Sequence, residues 1–181
     1  MARVEQITEK TQVPTEYHDL YDRIAAARGR VAGPYSILFH APAVADRVDL
    51  LAASLREDSL LSTQEFVLAA LAVARTKDCL FVWSVQAPNA RRAGLSEEAI
   101  AAIRDRNTDG LTADQVDLVN YAQQVVSANR VEADLFERLK QRHGTPWLVG
   151  LTTTAGHFAL ISGINNAFDV PPSPDGDQLP I

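Results

Sequence analysis

A chain of 181 residues, 46% apolar and 22% charged, can bury one core without help from disulfides or metal. Its net charge of −6 argues against the basic surface a nucleic-acid partner needs, and a single cysteine cannot close an intrachain disulfide. The first 14 residues are polar and lack the apolar run of a signal peptide, so a cytoplasmic chain is expected.

In chain order almost every segment reads as helix. Thr15 can cap a first helix with Tyr17, Leu20, Tyr21 and Ile24 on one face, and Gly29 and Gly33 end it. A short apolar turn, "PYSILFHAP", holds Tyr35 and ends near His40. Pro42 opens the next helix, with Val44, Val48, Leu51 and Leu55 as its apolar face. Ser62 and Glu65 form a capping box that launches the alanine-rich "EFVLAALAVAR".

Asp78 is read as the cap of a helix that carries Pro88 and ends at Gly94. Ser96 caps "EEAIAAIRD", Thr112 with Gln115 makes a second capping box, and "EADLFERLKQRH" is amphipathic up to Gly144. Residues 145–168 contain no charged side chain; polar threonines and asparagines favour a helix buried in a core or subunit interface over a membrane span. The expected fold is all-α with about eight helices. A polar segment, 1–14, precedes one domain over 15–170, and a Pro-rich tail, 171–181, follows as an extended or disordered arm.

Few residues here can do chemistry. Cys79 behind a capping Asp78 would sit where the helix dipole favours a thiolate, but Asp78 opposes that, and free cysteines are commonly buried and inert. "CLFV" has no second cysteine with which to form a dithiol pair. His18 and His143 lie on polar helix faces. His40 in "ILFHAP" and His157 in "TAGHFAL" lie in apolar surroundings, where an imidazole is either a satisfied core group or a general acid–base. Glu65 is a cap or a carboxylate near the cysteine. Trp83 and Gln86 can hold a ligand by ring contact and amide hydrogen bonds, or can simply pack. Arg30, Arg91 and Arg92 would suit an acidic substrate if they lie at a pocket mouth. No spacing of histidines or cysteines suits a metal, so none is expected.

The run "STQEFVLAALAVARTKDCLFVWSVQAPNARRAGLSEEAIAAIRD" resembles the core of the carboxymuconolactone decarboxylase / alkylhydroperoxidase D-like family. Phe81-Val82-Trp83 matches the family's aromatic-x-tryptophan, Pro88 its proline, and "RRAGLSEEAI" its turn and next helix. "YDRIAAARGRVAGPYSILFHAPAVADRV" and "TAGHFALISGINNAFDVP" resemble the flanks of longer bacterial members.

The departures fall on the chemistry. The peroxidase branch has two cysteines three apart, a histidine between them and another four residues after the second. Here Cys79 matches the first cysteine, while Phe81, Val82 and Gln86 stand at the other three places. Glu65 lies two residues before the family's relay glutamate, where Val67 stands.

The resemblance therefore implies the family pocket without dithiol chemistry. The expectation is acid–base work on a small lactone, enol or aromatic-breakdown product. His40 and His157 would meet beside the Gln86 helix to carry protons, with Glu65 and Cys79 as further candidates. Gln86, Trp83, Phe81 and Tyr35 would contact substrate. A non-catalytic small-molecule binder and a single-cysteine redox protein are the alternatives. The resemblance further implies a homo-oligomer, trimeric or hexameric; no cofactor is expected, and charge and composition argue against nucleic-acid and membrane partners.

Overall fold

The computed structural model describes residues 1–58 and 60–181. Among them the chain forms nine α-helices and no strand: α1 (His18–Arg28), α2 (Pro34–Leu38), α3 (Pro42–Glu57), α4 (Thr63–Thr76), α5 (Leu80–Arg92), α6 (Glu97–Arg104), α7 (Ala113–Ala128), α8 (Ala133–His143) and α9 (Thr145–Ala167). Two 3-10 turns, Lys10–Gln12 and Thr15–Tyr17, lead into α1, so Thr15 opens a turn rather than capping the helix.

The signals that start helices act as the sequence implies. The Ser62 hydroxyl accepts from the Glu65 amide at 3.2 Å, and a Glu65 oxygen accepts from the Ser62 amide at 2.6 Å. Thr112 and Gln115 do the same for α7, and Ser96 accepts from the Ala99 amide for α6. Each pair satisfies donors that the first helical turn leaves open.

Helix α4 is the centre of the bundle and packs against α5, α7 and α9. Every residue from Val67 to Ala74 is buried. Its four alanines in that stretch carry no bulk beyond a methyl group, so three neighbours can approach one axis closely. Helix α9 buries Trp147, Leu148, Leu151, Ala155, Phe158 and Ile161. It is long and apolar enough to cross a membrane by length alone, yet half of its most apolar window is buried inside the molecule, as for a core helix.

Two further readings need correction. On α3 the buried face is Ala45, Val48, Asp49, Ala52 and Leu55, so Val44 and Leu51 face outward. Asp78 does not cap α5: it takes a left-handed φ of 46° and binds Arg75 and Arg106, leaving Cys79 at the N-cap. Both ends of the chain reach the core, where Ile7, Val13 and Leu179 join its cluster. The amide of Ile7 donates to the Ser36 carbonyl at 2.9 Å, and that of Arg3 to the Phe168 carbonyl at 2.9 Å.

Candidate active site

A cavity of about 690 Å³ opens between the α1–α2 connection, α3, α5 and α9. Helix α5 supplies one wall. Phe81, Val82, Val85, Gln86 and Asn89 follow one another at helical spacing and all line it. Phe81 can lie there because its neighbour is glycine. Gly33 has φ of +59°, and a Cβ on it would fall 2.0 Å from the Phe81 ring. Leu55, Phe66, Val67, Phe158 and Ile161 make the remaining walls largely apolar.

Helix α9 puts His157 into this cavity, with the side chain 8% exposed. The ring packs edge-on to Phe158 at 5.4 Å. Its Nδ1 is fully buried and has no hydrogen-bond partner, which leaves Nε2 as the nitrogen open to the cavity. Burial, and after it the charges of Arg56 and Arg28, lower its pKa from 6.5 to about 4. At neutral pH His157 is therefore an uncharged imidazole.

The charge around it is positive. Arg28, Arg30, Arg56 and Arg92 line the cavity, and no aspartate, glutamate or lysine does among the described residues. Arg28 is compensated: its Nη1 lies 2.7 Å from Asp49 Oδ1. Its Nη2 donates to the Tyr35 hydroxyl at 2.8 Å, and its guanidinium stands 4.1 Å above the Tyr35 ring. Burial pushes the Tyr35 phenol up, with Arg28 pulling the other way, so Tyr35 stays protonated. Arg30, Arg56 and Arg92 have no acidic partner among the described residues. Gln86 and Asn89 form the polar stretch of the α5 wall, where the Asn89 amide donates to Gln86 Oε1 at 3.2 Å.

The structure thus brings together His157, Gln86, Phe81 and Tyr35, with Arg30 and Arg92 beside them. It does not bring in His40, which is exposed and whose Nε2 lies 2.8 Å from the Glu5 carbonyl. The expected meeting of two imidazoles does not occur. Cys79 is wholly buried and Trp83 is 1% exposed; both are core residues that do not line the cavity. Burial pushes the Cys79 thiol up, against the Val82 amide, the Ser162 hydroxyl and the Phe81 amide, which pull it down. Glu65 serves its capping box and borders a separate pocket of about 340 Å³ with Asp114, His143 and Trp147.

Sequence reasoning missed Arg28, Arg56 and Ser173. Arg28 reads as an ordinary cation in a last helical turn, and Arg56 as a solvated one. Ser173 carries no local signal at all, since it reaches the cavity from the tail.

Comparison with known proteins agrees with this architecture. Residues 42–124 match the model of the Carboxymuconolactone decarboxylase family. No curated protein matches the chain significantly. Among solved structures it is similar to an alkylhydroperoxidase AhpD core, an uncharacterized peroxidase-related protein from Ralstonia eutropha JMP134. That match has a TM-score of 0.80 at 16% identity and covers 96% of this chain and 93% of that one. It is also similar to an uncharacterized peroxidase-related protein from Silicibacter sp. TM1040, with a TM-score of 0.78 at 15% identity, over 99% of this chain and 96% of that one. At such identities these likenesses show the shared fold.

Proposed function

Residues 42–124, from α3 through most of α7, carry the carboxymuconolactone decarboxylase family core, and from that premise we propose an acid–base enzyme acting on a small, carboxylate-bearing lactone or enol. One observation carries the reading. A single cavity holds an uncharged imidazole and three guanidiniums without acidic partners, and no carboxylate. Such a site attracts an anion and offers it one group that can exchange a proton.

The roles follow from the lining. Arg30, Arg56 and Arg92 hold the substrate carboxylate, and Gln86 and Tyr35 hydrogen-bond its carbonyl or hydroxyl oxygen. Phe81 and Phe158 cover the apolar face of the substrate. His157 Nε2 takes a proton from carbon next to the carbonyl; the C–H electron pair moves into an enolate, and the same nitrogen returns the proton at a second carbon. No oxidant or reductant enters. In a decarboxylation the electron pair comes instead from the C–C bond to the departing carboxylate, and the ring passes on a proton drawn from water.

Substrate binding prepares the base. Arg56 and Arg28 add to burial in holding the His157 pKa down. A bound carboxylate offsets those charges, which raises the ring's proton affinity when a base is required.

The test is turnover of a panel of carboxylated lactones and enols. We expect His157→Ala to lower kcat/KM by about a hundredfold or more, the usual contribution of a general acid–base. His40→Ala should leave it unchanged. Full activity in His157→Ala would overturn the assignment, and tight binding without any product would make the chain a binder. We also infer a homo-oligomer, supported by the uncharged outer face of α9, and a cytoplasmic location, as expected from the polar first 14 residues.

A further inference from the structure

Pro88 has no amide hydrogen, so the Ser84 carbonyl four residues earlier lacks the partner a helix would give it. The C-terminal tail sits on that carbonyl. A Cβ on Gly176 would lie 2.3 Å from Ser84 O and 2.6 Å from Ser84 Cβ, so only glycine allows the approach. The Ser173 amide donates to Ser84 Oγ at 2.9 Å. Arg91 Nη1 and Nη2 donate to the two Asp177 oxygens at 2.7 and 2.6 Å. Leu179 is buried in the core cluster. Through Ser173 the same tail contributes to the cavity lining.

Little else fastens it. Its one internal backbone hydrogen bond runs from the Gly176 amide to the Ser173 carbonyl at 3.0 Å. Pro171, Pro172, Pro174 and Pro180 have no amide to donate. The Arg91–Asp177 pair is partly solvated, and such pairs contribute little to stability. Release of Asp177 does not strand Arg91 either, because Glu97 also accepts from that guanidinium, at 3.1 Å on Nη2. A segment fixed by one ion pair, one hydrogen bond and one buried leucine opens at lower free energy than the helices beneath it.

We propose that residues 171–181 are a gate. Docked on α5, they complete the cavity wall. Lifted, they open the side at Ser173 and admit or release ligand. Arg91–Asp177 is the latch, Leu179 the anchor, and the carbonyl exposed by Pro88 the seat. The gate concerns access and holds whatever reaction the cavity performs.

Its test therefore uses no substrate. The probe is 1-anilinonaphthalene-8-sulfonate, an apolar anion suited to a cavity lined by aromatic rings and arginines, followed by stopped-flow fluorescence. Asp177→Asn and Leu179→Ala in the full chain should each raise the association and dissociation rates together, by about threefold or more, with a smaller change in Kd. This is the signature of a more populated open state. Rates equal to wild type in both variants would overturn the gate, as would a change in Kd alone. Hydrogen exchange on the unaltered protein gives a second check. Ser173 and Gly176 amides should exchange much faster than those of α4, and more slowly with the probe bound. Exchange as slow as in α4 would overturn the proposal as well.

Discussion

His157 owes its neutral state to where it is placed, and the same placement links the fold to pH. The unfolded ring titrates near 6.5 and the folded one near 4. Between those values the unfolded chain binds more protons. The stability present above pH 6.5 is therefore lost as pH falls toward 4, by about 3 kcal/mol in all. Urea unfolding at pH 7 and pH 4 checks this. His157→Gln, which does not titrate, should lose about 3 kcal/mol less than wild type across that interval; an equal loss would contradict the burial argument. Sequence context alone marks His157 and His40 as equivalent, because both stand in apolar runs. They separate on a contact no local pattern contains: His40 follows a five-residue helix and turns outward to the carbonyl of Glu5, 35 positions away. Cys79 was legible as a small buried group, and its raised thiol pKa fits that reading rather than a reactive one.

At the level of elements, caps and prolines carry their signals locally, which is why α4, α6, α7 and α9 stand where the sequence puts them. Faces are harder. On α3 the apolar residues Val44 and Leu51 look inward by pattern, yet Asp49 occupies the buried side because Arg28 and Arg23 pair with it there. A buried carboxylate with two arginine partners rotates the helix away from its most apolar stripe. Helix α9 has a related asymmetry. Its outer side presents Val149, Gly156, Leu160 and Gly163 to solvent, and a Cβ on either glycine would meet nothing within 4 Å. Neither glycine is needed inside the protomer, and each costs helix stability of roughly 1 kcal/mol relative to alanine. The proposed homo-oligomer would place a second copy on this face, where both glycines let it approach closely. Light scattering should find an oligomer for the wild type and a shift toward monomer for Leu160→Glu, with helical content unchanged; a wild-type monomer would contradict the inference.

For the molecule as a whole, the proposed function rests on segments far apart in the chain meeting at one cavity. The α1–α2 connection brings Arg30 and Tyr35, α3 brings Arg56, α5 brings Phe81 and Gln86, α9 brings His157, and the tail brings Ser173. The α5 contribution was legible because it falls within a resemblance carried by short motifs. Arg28, Arg56 and the tail were not, since their places depend on packing between elements rather than on spacing within one. Phe81, Val82 and Gln86, the three places that the resemblance marks as departures, all line the cavity. Under the proposed function, His157 is the cavity group that exchanges protons among the described residues. Nuclear magnetic resonance titration of the His157 ring, with and without a saturating aromatic carboxylate, tests that claim most directly. The account predicts a pKa near 4 in the free protein and a clear rise when the carboxylate binds. A ring that titrates near 6.5 and ignores the carboxylate would contradict it.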